Sequence, residues 1–553
     1  MDTAAPSVVL TDPRIRAAYA EGAGIYRIVP SGVARPTTEA ELVALVHHAI
    51  ATGMPLVARG AGTGMSGDNV GEGIVVDLTR LDGAAIAVDP ETRTAWTAPG
   101  ATFAALNRAA APHGLRLPPA PSSWRWATLG GVAATNASGA RSFRYGSARR
   151  WVEALALVTG DGERVMLERG RSADPSVAAV RRFTESVAPA LRAAGDLIRS
   201  RFPATRKNSF GYALDAWLTS DDLVDLVIGA EGTLGIVTGI RWRLDPVPAA
   251  RAGLRVTLGT DAALAEVLDA LGHSSASAVE LLDRTFLEFV LEHLPASDRP
   301  IASRAAAMLL VEFEGADEAV AAELDRWRRR LAPMAIDLQA AEGEHGLEQL
   351  WEIRHAASPL LTRLADGRRS LQVIEDGCVP QARLPEYLAA LRRIGARQGI
   401  GMTLFGHAGD GHVHVNLLPD VTLPGWERLV TTVFEAASEA QIALGGVPAG
   451  EHGAGRLRAG LMERVYGPEV MTLFRALKQA FDPRGIMNPG VILPADGAGP
   501  TPVRQLKFGD SAAPIPEDIA DALRRIEQTG AWDTDRARLV DAPASASLAA
   551  AGA

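Results

Sequence analysis

The stretch Arg59-Gly-Ala-Gly-Thr-Gly-Met-Ser-Gly67 decides how this chain is read. Gly62, Gly64 and Gly67 satisfy the spacing G-x-G-x-x-G, but that dinucleotide fingerprint must open a helix. Here it is followed by Asp68-Asn-Val-Gly-Glu-Gly73 and the apolar run Ile74-Val-Val-Asp-Leu78, which reads as a strand. Upstream, Thr38 and Glu41 form a capping box, and Leu42, Leu45, Val46 and Ala49 recur at helical spacing. Gly53 is placed to stop that helix, and Pro55-Leu-Val-Ala58 reads as a short strand. The unit is therefore strand–loop–strand, in which successive backbone N–H groups can wrap a pyrophosphate. A glycine-rich surface turn is the plain alternative.

Other glycine clusters favour the cradle. Glycine makes up 55 of 553 residues, about a tenth against an average near 7%. A second cluster runs through Pro118-Pro-Ala-Pro121, Ser122, Thr128-Leu-Gly130-Gly131, Thr135 and Gly139. A third, Gly229-Ala-Glu231-Gly-Thr-Leu-Gly235-Ile236-Val237, leads into an apparent strand end at Arg241–Leu244. Small residues in this number leave room for a flat ligand against the backbone. The length predicts two to four domains and a sizeable core. A formal charge of -9 argues against nucleic acid as the partner. The lone Cys378 excludes an intrachain disulfide framework and any four-cysteine iron–sulfur or zinc site built from this chain. No apolar run reaches the 18 residues of a membrane helix, and the N-terminus does not read as a signal peptide, so the expected compartment is the cytoplasm.

The second half carries the reacting groups. In Phe405-Gly-His407-Ala-Gly-Asp-Gly411-His412-Val-His414-Val-Asn416, the Gly-Asp-Gly turn folds the chain back on itself. Alternation then puts His412, His414 and Asn416 on one strand face, with Val413 and Val415 behind and His407 approaching across the turn. Gly450-Glu451-His452-Gly453 presents a carboxylate and an imidazole in a glycine-flanked loop. Two imidazoles and a carboxylate form a normal ligand set for a catalytic divalent metal. Isolated histidines would more often be structural, but the polar strand face and the Glu-His pair reverse that preference.

Taken together, these motifs resemble the FAD-linked oxidases of the vanillyl-alcohol-oxidase superfamily. Arg59–Gly67 is similar to that family's pyrophosphate loop. Ala98-Pro-Gly100, Pro121-Ser122, Thr128 to Gly139, Tyr145-Gly146 and Glu231 to Val237 follow in the family's order, and Asn488 in Phe481-Asp-Pro-Arg-Gly-Ile-Met-Asn-Pro-Gly490 matches its flavin-contacting asparagine. The resemblance covers about residues 26–493. It implies an α+β fold: a PCMH-type FAD-binding domain over 26–248, then an α+β cap with an antiparallel sheet over 249–494. A helical lead-in over 1–25 and a linker, short helix and disordered tail over 495–553 complete the division. Arg59, Gly60, Ala61, Gly62, Thr63, Gly64, Ser66 and Gly67 would hold FAD with the later clusters. The loop has no histidine, so the flavin is expected to be non-covalent.

The histidine-rich motifs are similar to the D-2-hydroxyacid dehydrogenase branch, whose members act on D-lactate, D-2-hydroxyglutarate or glycolate. That resemblance implies zinc or manganese on His407, His414 and Glu451, His452 as catalytic base and Asn416 as substrate contact. It also implies that Arg354, in Trp351-Glu-Ile-Arg354, binds the substrate carboxylate; by itself Arg354 would read as a solvated helix charge. Two positions depart from the pattern. His412 replaces the usual asparagine, as an extra ligand or a different substrate contact. Ile374 stands where D-2-hydroxyglutarate enzymes carry a lysine, which suits a smaller or more hydrophobic side chain. With no internal iron–sulfur relay, electrons should pass to an external acceptor: a quinone, cytochrome, electron-transfer flavoprotein or iron–sulfur protein. A homodimer is compatible with this reading. The tail, with apolar positions at Ile519, Leu523 and Ile526, either packs on the FAD domain or serves an iron–sulfur partner, which would make the chain a subunit. Oxidase chemistry on an aromatic alcohol is the third reading, and the Glu-His pattern argues against it.

Overall fold

The helix Glu39–Thr52 is fixed by its own sequence. Thr38 accepts from the Glu41 N–H, the Glu41 carboxylate returns to the Thr38 N–H, and Gly53 ends the helix at φ +69°. In the computed structural model, which describes residues 9–355, 360–361, 364, 367–495, 503–509, 511–529 and 534–541, this helix connects two parallel strands. Leu42, Leu45, Val46 and Ala49 pack on Leu56, Ile74 and Val76. The sheet runs Val9–Leu10, Gly32–Ala34, Ile74–Asp77, Leu56–Arg59. Its last three strands are parallel, with Leu56 opposite Ile74 and Arg59 opposite Asp77. The glycine loop thus leaves the end of one strand and returns along its neighbour, the strand–loop–strand unit expected from the sequence.

A second sheet is antiparallel, in the order Ile86–Asp89, Thr94–Thr97, Ile236–Arg243, Val152–Val158, Arg164–Glu168. The cap is built on a third, antiparallel sheet of seven strands: Asp337–Glu342, Ala250–Leu258, Ala307–Gly315, Ala278–Asp283, Gly401–Gly406, His412–Leu418 and Gly377–Cys378. Helices Asp261–Leu271, Asp317–Leu331, Leu384–Gln398 and Trp426–Ala443 pack their apolar stripes against it. The fold is mixed α and β, as the sequence predicts.

The chain then crosses back. Helix Met462–Phe481 rests on the first half, with Phe474 edge-on to Tyr212 and Phe481 edge-on to Phe183. Beyond it the Leu56 N–H donates to the Ile486 carbonyl, and the Asn488 N–H donates to the Leu56 carbonyl, each at 2.8 Å. The C-terminal segment therefore extends the edge of the first sheet.

The amphipathic tail helix, Glu517–Thr529, buries Ile519, Leu523 and Ile526 against Ala17, Ala18, Tyr19 and Val33. Of the two roles open to the tail, packing back on the N-terminal part of the chain is the one this contact realises. A further helix, Thr534–Asp541, was not expected, and its Arg536 donates to the Ala61 carbonyl at 3.0 Å, inside the glycine loop. Residues 542–553, expected to be disordered, and 496–500 of the linker-like run lie outside the described residues.

Candidate active site

One cavity of about 1310 Å³ runs from the glycine loop to the histidine motif. At one end, among the described residues, the backbone N–H groups of Gly60 to Gly64 have no protein acceptor. Five successive unpaired donors on residues that line the cavity fit a pyrophosphate. The loop is held open from behind. Arg59 is buried and spends its guanidinium on the carbonyls of Tyr19, Glu21 and Asn69 at 3.3, 2.6 and 3.2 Å. Burial, with Arg536 nearby, lowers its pKa to about 9. Arg59 is therefore a brace for the loop, although it also lines the cavity.

The wall continues through Ala61, Thr63, Pro121, Ser122, Thr128, Gly130, Gly131, Thr135 and Gly139, then Glu231 and Gly235 to Val237. Five expected FAD contacts stand behind it instead. The Ser66 hydroxyl donates to the His452 carbonyl at 3.1 Å. Gly67 lies so close to Tyr26 that a Cβ would meet the ring at 2.6 Å. The Tyr145 hydroxyl accepts from Arg116 at 3.0 Å, and the Gly146 N–H donates to the Ser142 carbonyl at 2.8 Å. Asn488 Nδ2 donates to the carbonyls of Asp68 and Glu231 at 2.7 and 2.8 Å. Their side chains or backbones are committed to protein partners, so they shape the wall without forming it.

At the other end, strands Gly401–Gly406 and His412–Leu418 pair with Phe405 opposite His414 and Thr403 opposite Asn416. The turn between them ends at Gly411, φ +71°. Val413 and Val415 are buried behind the strand, and His407, His414 and Asn416 reach the cavity wall. Glu451 and His452 arrive on a loop pinned from two sides. Asp376 accepts from the N–H groups of Glu451 and His452 at 3.0 and 2.8 Å. Glu231 accepts from those of Ala454 and Gly455, both at 2.8 Å.

Glu451 Oε1 is the point of convergence. The Nε2 atoms of His407, His414 and His452 lie 3.4, 3.4 and 3.3 Å from it. Each imidazole is anchored through its other nitrogen: His407 by Glu280, His414 by the Glu375 carbonyl at 2.8 Å and His452 by the Glu375 carboxylate at 2.6 Å. For His407 and His414, an anchored Nδ1 with Nε2 turned toward one carboxylate oxygen is a donor arrangement that fits a divalent ion. Glu451 Oε2 is taken by Lys207 Nζ at 2.9 Å and Ser138 Oγ at 3.1 Å.

The charges are mutually adjusted. Burial alone would raise the Glu451 pKa, but Lys207 and the facing histidines hold it well below the usual carboxylate range. Burial would lower His452, yet Glu375 and Asp376 outweigh it and leave the imidazole well above its ordinary value. For His412, burial wins and lowers the pKa to about 3.

Arg354 is not a solvated helix charge. It lines the cavity from helix Gly343–His355, lies over the Phe405 ring at 4.2 Å and faces Glu280 at 3.4 Å. Ile374 is placed differently from expectation. The chain bends at Val373 and Ile374, so Ile374 is buried away from the cavity and Gln372 takes the wall. Cys378 is enclosed, its thiol donating to the Asp410 carbonyl at 3.3 Å, which fits a packed small side chain.

Sequence reasoning missed Lys207, Glu280 and Glu375. The one local signal was a carboxylate flanked by apolar residues in a strand, Ala278-Val-Glu280-Leu-Leu.

Known proteins share both halves of this arrangement. Residues 30–168 match the model of an FAD binding domain, and residues 248–492 match that of the C-terminal domain of FAD linked oxidases. The chain is 31% identical over 466 residues to a D-lactate dehydrogenase of Archaeoglobus fulgidus, covering 83% of this chain and 91% of that one. It is 30% identical over 475 residues to the glycolate oxidase subunit GlcD of Bacillus subtilis, covering 85% and 90%. A D-2-hydroxyglutarate dehydrogenase of Escherichia coli is 29% identical over 502 residues, covering 86% of this chain but 49% of that longer one. Among solved structures, p-cresol methylhydroxylase with substrate bound has the same fold, with a TM-score of 0.61 at 15% identity over 89% of this chain and 95% of that one. Likeness along nearly the full length of two such relatives, with both family models spanning the walls of the one cavity, places the chain among the FAD-linked oxidases of the vanillyl-alcohol-oxidase superfamily, as an FAD-dependent oxidoreductase.

Proposed function

We propose that the protein is a dehydrogenase that oxidises a D-2-hydroxy acid, D-lactate or a close analogue, to the 2-oxo acid. The observation that carries this reading is one cavity shared by the glycine loop, Arg354, His452 and the His407–His414–Glu451 donors. The names of the relatives support it, since lactate, glycolate and 2-hydroxyglutarate are all 2-hydroxy acids.

When bound, FAD supplies a two-electron acceptor for the α-hydrogen and a divalent zinc or manganese ion a Lewis acid for the substrate oxygens. Arg354 presents its guanidinium to the substrate carboxylate, a pairing with two parallel hydrogen bonds. Asn416, whose Oδ1 accepts from Ser370 at 2.9 Å, holds the substrate from the strand face. His452 Nε2, once it has given up the proton that Glu375 and Asp376 favour, takes the hydroxyl proton, and Glu375 stabilises the cation that forms again. The O–H and α C–H bonds break and the C=O bond forms. The proton goes to His452, and FAD, when bound, would accept the α-hydrogen with its electron pair. The Gly60–Gly64 N–H groups would hold FAD non-covalently. The electrons then leave for an external acceptor.

Purified FAD-loaded chain, assayed with an artificial dye, should oxidise D-2-hydroxy acids and spare their L-enantiomers. Failure with every 2-hydroxy acid would overturn the proposal. The likeness to a glycolate oxidase subunit favours a second reading, in which the chain works inside an electron-transfer complex. Co-elution with an iron–sulfur protein, together with dye activity only in that complex, would select it.

A further inference from the structure

His412 takes no part in the chemistry described above, yet it is enclosed in the same cluster. It is fully buried, and its ring centroid is 5.2 Å from that of His407 and 4.7 Å from that of His414. One donor atom from each of His407, His412, His414 and Glu451 can be chosen so that all four lie within 4.8 Å of one another. His412 Nε2 is bound to Asp376 Oδ1 at 2.8 Å. Its Nδ1 is buried and has no hydrogen-bond partner among the described residues. A buried polar atom without a partner is costly and calls for an explanation.

The pattern at His412 repeats that of its two neighbours. Each of the three imidazoles has one nitrogen held by a carboxylate or a carbonyl: Glu280 for His407, Asp376 for His412 and the Glu375 carbonyl for His414. Ligating histidines are typically oriented in this way, with the second nitrogen left for the ion. A side chain present only for packing would need neither an ionised partner nor a place among the donors. Gly450 is part of the same fit, because a Cβ there would lie 2.5 Å from His412 Cδ2.

We infer that His412 is a fourth protein ligand, so that the ion is held by three imidazoles and one carboxylate, and that the site selects zinc over manganese. This rests on the proposed metal reading and makes it more specific. Imidazole donors favour zinc, whereas carboxylate and water donors suit manganese, and the general affinity order also runs from manganese up to zinc.

The test uses FAD-loaded protein stripped of metal, titrated with zinc or with manganese against a competing chelator. For the wild type, zinc should bind at one per chain and more tightly than manganese. His412→Asn should weaken zinc binding by about 10–100-fold, the range seen when a site's supporting shell is damaged, with a smaller change for manganese and with FAD content retained. X-ray absorption of the wild-type zinc protein should count three imidazoles, a readout that does not depend on the variant folding. Unchanged zinc affinity in His412→Asn, or two imidazoles by absorption, would show that His412 is packing and overturn the inference while leaving the three-residue site intact. If the wild type binds no divalent ion, the metal reading itself falls, and the inference falls with it.

Discussion

Lys207 Nζ lies 2.9 Å from Glu451 Oε2, and both side chains are almost fully enclosed, at 2% and 5% exposure. This pair fixes which oxygen of Glu451 faces the histidines. Lys207→Met would leave Glu451 Oε2 with Ser138 alone. Removing one partner of a buried ion pair costs about 3–5 kcal/mol. Urea unfolding of the FAD-loaded variant should show a loss of this size, with turnover reduced as well. A stability within ~1 kcal/mol of wild type would mean that the pair is not enclosed as described.

The glycine loop approaches the second cluster too closely for any side chain at Gly60. A Cβ there would sit 2.0 Å from Thr128 Oγ1 and 3.2 Å from Thr128 Cβ. Gly60→Ala should push the loop off that wall and weaken FAD binding by about tenfold or more, equivalent to ~1.4 kcal/mol. Flavin content after dialysis, read by absorbance, checks this.

Leu523 joins the tail to the N-terminal helix, together with Ile519 and Ile526. Leu523→Ala should cost about 2–5 kcal/mol of the local stability, as expected for emptying a buried leucine site. Hydrogen exchange should show faster opening of residues 517–529 while the cap strands keep their protection. Equal protection in both proteins would show that the helix is not anchored by this face.

Much of the fold was legible because its signals were local. The capping box of Thr38 and Glu41, and the turn that brings His414 opposite Phe405, lie within short stretches of chain. The resemblance carried the rest of the architecture, and the histidine motif was readable from alternation alone. The supporting charges were not. Glu280 is 127 residues from His407, Glu375 is 77 from His452, and Lys207 is 244 from Glu451. No periodicity records such pairs, because they form only when the sheet and its loops have closed. Ile374 failed for a related reason: a bend in the backbone, invisible in the residue order, turned it from the cavity. Tyr145 and Asn488 kept their place in the motif order while their polar groups went to protein partners.

The converging donors at Glu451 make the ion testable independently of substrate identity. Exhaustive chelation should abolish dye-coupled turnover, and adding back zinc or manganese should restore it with the FAD content unchanged. Full activity after chelation would make His407, His414 and Glu451 a substrate clamp or a structural cluster.

The most direct test of the central claim is anaerobic bleaching of the bound flavin, followed by its absorbance in a rapid-mixing instrument. D-Lactate or a close D-2-hydroxy acid should bleach the wild-type flavin, and the L-enantiomer should not. His452→Ala should keep its FAD but lose about 100-fold or more of the rate, the contribution typical of a general base. Bleaching of the variant at near wild-type rate, or no bleaching of the wild type by any 2-hydroxy acid, would contradict that claim.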